Sequence, residues 1–394
     1  MLNFDYLVST RLIFGRGAQK EVGGRIKGFG AKRVLLHYGG GSIKRSGLYD
    51  DVADSLKAAG IPFCELGGVV PNPRLSLVYE GVDLAKREGI DFILAVGGGS
   101  AIDSAKAIAV GALSDRDVWD YYTGKAVVER ALPVATVLTI PAAGSETSIS
   151  SVITNERDQL KYSIDVPPIL PVFSIVNPEL FYTLPAEQVG YGVADMMSHI
   201  FERYFTNTVS TDLTDALCEA TLRVIMKNAL IIARDPEDYN AWAQIGHCGS
   251  MAHNGALGLG REQEWSCHPM EHELSAIYDV AHGGGLAVIT PAWMEYVYKE
   301  NVPMFTQFAV NVMGVTDGSY REPEAVILEG IRRLRVFFKA MGLPATLAEL
   351  GIGGDKLELM AKKATRAQFG AESPLGNIKP LYWQDVLNIF TMAK

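Results

Sequence analysis

The sequence predicts an α/β domain with a mostly parallel sheet over residues 1–185, followed by an all-helical domain over residues 186–394. A chain of 394 residues exceeds what one hydrophobic core usually encloses. In the first half, short apolar runs alternate with stretches of helical spacing, which is the pattern of a parallel sheet covered on both faces. Beyond about residue 182 the β-branched runs thin out, and helical patterns follow one another without strands between them.

In chain order, KRVLLHY (32–38), IPFCEL (61–66), DFILAV (91–96), PVATVLTI (133–140) and FSIVN (173–177) read as strands. Among them LYDDVADSLKAAG, LSLVYEGVDLAKREG and SAIDSAKAIAVGAL carry helical spacing. TLPAEQVGYG marks the switch, with Pro185 suited to a helix first turn. Residues 186–205, 211–233, 238–257, 269–279, 286–299, 303–314, 323–341, 344–350 and 355–369 are then helical in pattern. PLGNIKPLYW reads as a loop before a last short helix at 384–392.

Composition narrows the function. Apolar residues at 48% and charged residues at 21% are ordinary for a globular protein in water. A net charge of −9 argues against a nucleic-acid surface, which needs clustered Lys and Arg. No apolar run approaches the ~18–20 residues of a membrane helix. The start MLNFDYLVSTRLIFGRG lacks the basic and apolar regions of a secretion signal. Cys64, Cys218, Cys248 and Cys267 show no C-x-x-C spacing and fit reduced thiols, so a cytoplasmic protein is expected.

Two Gly-Gly-Gly-Ser runs each follow a strand: Gly39, Gly40, Gly41 and Ser42 after VLLHY, and Gly97, Gly98, Gly99 and Ser100 after DFILAV. Without Cβ atoms, such a loop lets backbone N–H groups close on a pyrophosphate, whose charge the next helix N-terminus also favours. A single run is equally well a tight turn. Two runs at successive strand ends, with TIPAAGSETS (139–148) at a third, indicate a nucleotide at the carboxyl edge of a Rossmann-like sheet. The usual dinucleotide fingerprint is absent: in FGRGAQK, Gly15 and Gly17 are followed by Lys20 where a third glycine would stand, and no strand–helix context is evident there. Gly39 occupies the place of a ribose-binding carboxylate, and Lys44 and Arg45 follow it. That combination tolerates a 2′-phosphate and favours NADP(H) over NAD(H).

In the second half, Asp195 and His199 stand four apart in a helical stretch, so they share one face. His268 begins a further helical stretch, and His282 precedes Gly283-Gly284-Gly285, read as a loop that can approach a site closely. Three imidazoles and a carboxylate suit Fe(II), Zn(II), Ni(II) or Co(II), whereas Mg(II) and Ca(II) prefer oxygen. A lone helical histidine is usually a satisfied core or surface residue. The clustering of His253, His268, His272 and His282, added to the Asp-x3-His, is what favours a metal, although spacing alone does not bring the segments together. Cys267 reads as a packing residue.

The GGGSAIDSAK loop, TIPAAGSE, the Asp-x3-His, the His-x3-His and the final His-Gly, in that order, resemble the iron-containing (group III) alcohol dehydrogenases. YGGGSIKRSG and the overall length resemble their butanol dehydrogenase and NADPH-dependent aldehyde reductase branch. The resemblance implies that family's dehydroquinate-synthase-like fold, with the active site in a cleft between the two domains. It implies metal ligation by Asp195, His199, His268 and His282, with Fe(II) as the metal and Zn(II) or Ni(II) as alternatives. It also implies a nicotinamide cofactor along the two glycine runs, Thr139, Ser145 and Lys161. Asp103 falls near the nicotinamide end as a candidate catalytic residue; otherwise it is a carboxylate answering the helix dipole. A homodimer is expected from the resemblance, with YLVST as a pairing edge.

The expected reaction is hydride exchange between NAD(P)(H) and small primary alcohols or aldehydes such as butanol and butanal. His272, four residues after His268, is the candidate proton relay, the alternative being a structural histidine. His253 and Asn254 are candidates to line the site, while Trp265, Phe205 and Tyr278 are expected in packing. The rival readings are a glycerol-type polyol dehydrogenase of the same fold, a metallohydrolase, in which the glycine runs would have no role, and a catalytically silent metal-binding scaffold.

Overall fold

The computed structural model describes residues 1–316, 318 and 322–394. The chain divides into two compact units, Leu7–Thr183, and Leu184–Lys394 together with Met1–Tyr6. The first six residues, expected with the α/β unit, attach to the helical one. The Met1 ammonium donates to Val209 O (2.9 Å) and Leu2 N to Gly260 O (2.7 Å).

The α/β unit runs β1 (Arg11–Phe14), α1 (Val22–Gly28), β2 (Val34–Tyr38), α2 (Ser42–Arg45), α3 (Leu48–Ala58), β3 (Phe63–Leu66), α4 (Leu75–Glu88), β4 (Phe92–Gly97), α5 (Gly99–Ala112), α6 (Trp119–Tyr122), β5 (Val134–Leu138), β6 (Ser150–Asn155), β7 (Leu160–Asp165) and β8 (Phe173–Val176). Six strands form one parallel sheet in the order β1-β8-β5-β4-β2-β3. Every residue of β2, β4, β5 and β8 is buried, which is why these strands are mostly apolar runs without alternation. On one face Val52 and Leu56 of α3 and Ile26 of α1 pack on Val34, Leu36, Leu94 and Val137. Strand order reverses between β2 and β4, so a crevice is expected at their carboxyl ends.

The five expected strands are present, and two further features are not foreseen. One is β1. It means that Gly15 and Gly17, both with positive φ, do follow a strand and precede a helix, although the third glycine is still missing. The other is the antiparallel β6–β7 hairpin, whose polar first strand, SSVITN, does not read as a core strand.

The helical unit comprises α7 (Ala186–Tyr204), α8 (Asp212–Ile232), α9 (Tyr239–His253), α10 (Cys267–Tyr278), α11 (His282–Val297), α12 (Val302–Asn311), α13 (Pro323–Ala340), α14 (Leu357–Ala364) and α15 (Trp383–Met392). Residues 344–350 form turns, not the expected helix, between the left-handed Gly342 and Gly351. Gly283-Gly284-Gly285 is the larger correction, since these glycines form the first turn of α11 and not a loop. Their small size is required by close helix contact: a Cβ on Gly283 would sit 2.0 Å from Tyr191 O of α7, and one on Gly285 would sit 2.7 Å from Glu271 Cγ of α10. No helix among the described residues is long and apolar enough to cross a membrane.

Candidate metal centre and nucleotide loops

Asp195 and His199 share the inner face of α7, where all residues from Gly192 to Tyr204 are buried. Helices α10 and α11 bring His268 and His282 to the same carboxylate. Asp195 Oδ1 lies 3.3 Å from His199 Nδ1, 3.9 Å from His268 Nε2 and 3.8 Å from His282 Nε2. Ligand atoms about 2.1 Å from one tetrahedral metal stand about 3.4 Å apart, so this spacing fits a shared ion. The ligand atoms of Asp195, His268 and His282 all lie within 4.8 Å of one another. His199 stands against the Asp195 edge of that cluster, its ring 4.5 Å from that of His268.

Asp195 Oδ1, His199 Nδ1 and His268 Nε2 are buried and have no hydrogen-bond partner among the described residues. Each such atom costs about 1–3 kcal/mol if left unmade, and three of them pointing at one another make a poor apolar core. A cation among them removes that cost. Burial, the neighbouring His253 and His268, and Arg203 hold His199 well below its ordinary pKa. For His268 burial acts the same way, but the carboxylates of Asp195 and Glu202 outweigh it and push the value up to about 9.

Two carboxylates that the sequence reading did not single out orient the imidazoles. Glu202 accepts from His268 Nδ1 (3.0 Å), His268 N (3.0 Å) and Ser266 N (3.2 Å), which leaves the His268 Nε2 lone pair facing Asp195. Glu271, fully buried and held by the Ser275 hydroxyl, accepts from His282 Nδ1 and does the same for that ring. Such partners fix the tautomer and raise ligand basicity. A signal was present: His199-x-x-Glu202 and His268-x-x-Glu271 each place a carboxylate on a ligand's helix face. The pairing is crossed between helices, however, and only packing reveals it.

His272 lies on the His268 face of α10, its ring 5.6 Å from that of His282 and 6.5 Å from that of His268. Its ring nitrogens group with Glu271 and His282 and not with Asp195. His253 packs edge-on against His199 at 4.2 Å. Phe205 is core and Cys267 is buried, as expected, whereas Trp265 touches the ligand rings.

In the α/β unit the two glycine runs follow β2 and β4, neighbours in the parallel sheet, so both open at its carboxyl edge. None of the six glycines has a positive φ, so a tight turn does not explain them. Close approach accounts for the second run: a Cβ on Gly98 would sit 3.0 Å from Ile140 Cβ, and one on Gly99 would sit 2.9 Å from Ala143 Cβ. The TIPAAG segment after β5 thus lies against the second run, with Thr139 N bonded to Gly97 O (3.0 Å).

Asp103, half-buried, and Ser145, buried, are tied into this framework. Ser145 Oγ donates to Asp103 Oδ1 (2.5 Å), and Val152 N donates to Asp103 Oδ2 (3.1 Å). Lys106, unremarked in the sequence, is fully buried and donates to Ser145 O (2.7 Å), Ser145 Oγ (2.9 Å), Ser148 O (2.9 Å) and Ser150 O (2.7 Å). Asp103 and Ser145, expected respectively as a catalytic group and a cofactor contact, therefore have their side chains committed to holding the loop. Lys161 on β7 donates to Asn72 Oδ1 (3.0 Å) and is buried.

The cations after Gly39 behave differently from each other. Lys44 lies 3.5 Å from Glu65 and over the rings of Tyr38 and Tyr49, so its charge is neutralised locally. Arg45 folds back over Gly41, where a Cβ would meet its Nη1 at 2.9 Å, and forms no ion pair among the described residues.

Comparison with known proteins agrees with this arrangement. Residues 9–178 match the family model of iron-containing alcohol dehydrogenase, and residues 190–393 match that of the Fe-containing alcohol dehydrogenase family, C-terminal. The chain belongs to the iron-containing alcohol dehydrogenase family and is an oxidoreductase. It is 42% identical over 391 residues to NADH-dependent butanol dehydrogenase A of Clostridium acetobutylicum, covering 99% of each chain. It is 34% identical over 367 residues to the NADPH-dependent aldehyde reductase YqhD of Escherichia coli, covering 92% of this chain and 93% of that one. The crystal structure of NADH-dependent butanol dehydrogenase A from Thermotoga maritima superposes with a TM-score of 0.96 at 42% identity, covering 100% and 99% of the two chains.

Proposed function

We propose that this protein is a metal-dependent alcohol dehydrogenase and aldehyde reductase that exchanges a hydride between NAD(P)(H) and small primary alcohols or aldehydes such as butanol and butanal. The observation that carries the metal is the convergence of three imidazole nitrogens, of His199, His268 and His282, on Asp195 Oδ1, with that oxygen and the first two nitrogens buried and without hydrogen-bond partners among the described residues. Asp195, His199, His268 and His282 would hold Fe(II), and Zn(II) or Ni(II) would fit the same donors. When bound, the metal supplies Lewis acidity to a hydroxyl or carbonyl oxygen, and the nicotinamide takes or gives the hydride. Glu202 and Glu271 engage the Nδ1 atoms of His268 and His282 and so keep those rings aimed. His272, beside His282 but outside the Asp195 cluster, is placed to hold or move a proton.

The glycine runs, Ser42, Ser100 and Thr139 would line the cofactor, with Lys161 beside Asn72. Asp103 and Ser145 serve that site by holding its loop. The relatives' names divide over the cofactor, NADH for the butanol dehydrogenase and NADPH for the aldehyde reductase. Support for NADP(H) here is the missing carboxylate at Gly39 and the unpaired Arg45. The reading extends to a cytoplasmic homodimer. All four cysteines are free thiols, as a reducing compartment keeps them; YLVST (6–10), expected as the pairing edge, is not a strand, and the sheet edge next to it is β1.

The test is oxidation of NADPH and NADH with butanal, using protein stripped by chelator and reconstituted anaerobically with Fe(II). Turnover should require the metal. His268→Ala and His282→Ala should lose metal and turnover together, and His272→Ala should keep the metal while slowing about 10²–10⁴-fold. Full activity in both ligand variants would sink the assignment, and metal without turnover on either cofactor would point to a polyol dehydrogenase or hydrolase.

A further inference from the structure

Trp265 has φ +48°, in the left-handed region that a bulky side chain rarely adopts. Glycine would take this backbone without strain, so the indole must supply something that glycine cannot. The backbone on either side of it is clamped by Glu202, whose carbonyl accepts from Glu264 N (2.6 Å) and whose carboxylate accepts from Ser266 N (3.2 Å). Strained residues persist where the surroundings over-determine them, and they concentrate at functional sites.

The indole ring meets the ligand set directly. Its centroid lies 5.3 Å from that of His268 and 6.1 Å from that of His199, both at steep interplanar angles, and 5.8 Å from that of His253. Nε1–H donates to Gln263 Oε1 (2.8 Å), which sets the ring's rotation. The Arg203 guanidinium stacks over it at 4.7 Å while donating to His199 O (2.8 Å). One side chain thus braces two of the four candidate ligands, on α7 and α10, and is itself held by Arg203 of α7 and by Gln263.

We propose that Trp265 is a positioning residue for the metal centre, its ring holding His199 and His268 in ligating orientation at the expense of local backbone strain. The proposal rests on the metal reading given above. Two substitutions separate ring from backbone: Trp265→Gly relaxes φ and removes the ring, whereas Trp265→Phe keeps an aromatic face at the same strained φ.

The experiment is titration of the chelator-stripped full chain with Co(II), following both affinity and the visible d–d spectrum, which reports ligand geometry. Trp265→Gly should bind Co(II) about 10–100-fold more weakly, with an altered spectrum, and Trp265→Phe should restore most of both. Should circular dichroism show that the glycine variant does not fold, Trp265→Leu takes its place with the same expectation. Parental affinity and spectrum in the glycine or leucine variant would overturn the proposal. So would a phenylalanine variant as weak as glycine, because the loss would then belong to the indole N–H and Gln263. A parent chain that binds no Co(II) would instead defeat the metal reading itself.

Discussion

Glu202 Oε1 lies 3.0 Å from the backbone nitrogen of His268 and 3.0 Å from its Nδ1, so a single carboxylate oxygen sets both where α10 begins and which ring nitrogen of its first histidine faces Asp195. Glu202→Gln keeps the volume but can turn an amide donor toward Nδ1, which destabilises the required tautomer. Metal affinity should fall about 10–100-fold, read by competition with a chromogenic chelator. Unchanged affinity would show that backbone contacts alone orient His268.

The contrast between Lys44 and Arg45 predicts cofactor choice. Lys44→Ala removes a cation already matched by Glu65 and should leave the ratio of kcat/KM for NADPH over NADH nearly unchanged. Arg45→Ala should lower that ratio about 10-fold or more, the scale of one lost charge-assisted hydrogen bond. Equal effects from both substitutions would refute the distinction.

His37 predicts a pH dependence of stability. It is fully buried, its Nδ1 donating to Leu66 O (2.8 Å) and its Nε2 accepting from Ser104 Oγ (2.8 Å), and burial pushes its pKa down to about 4 despite the Leu66 bond. Between pH 6.5 and 4 the unfolded chain takes up a proton that the folded chain refuses, so stability is fully present above pH 6.5 and declines as pH falls through that window. The decline amounts to about 3 kcal/mol. His37→Gln, which can donate and accept in the same place, should flatten the loss, measured as the urea midpoint at pH 7 and pH 4.5. An unchanged slope would place the proton uptake elsewhere.

The sequence disclosed what depends on local pattern. Mostly apolar runs marked β2, β4, β5 and β8 because strands buried on both faces admit few polar residues, here His37, Thr136 and Ser174. The Asp195–His199 spacing marked a helix face. Strand β1 was missed because RLIF is four residues long and half exposed, and the β6–β7 hairpin because four of the six residues of its first strand are polar. The site residues that escaped, Glu202, Glu271 and Lys106, act through partners far along the chain, on elements whose approach no local periodicity encodes. For Asp103 and Ser145 the motif was visible, whereas the bonds that tie them to each other, to Val152 and to Lys106 were not, because motif position does not encode such partners.

The glycines after His282 carry a consequence for how this centre tolerates change. The first and third of them let α11 lie against Tyr191 O of α7 and Glu271 of α10, so the separation of the helices is set by hydrogen atoms where other residues would put carbon. An alanine at Gly283 would wedge α11 off α7 and carry His282 away from Asp195 without altering any donor. Mutational drift at this centre is therefore limited as strictly by two positions that contribute no functional group as by the four that do.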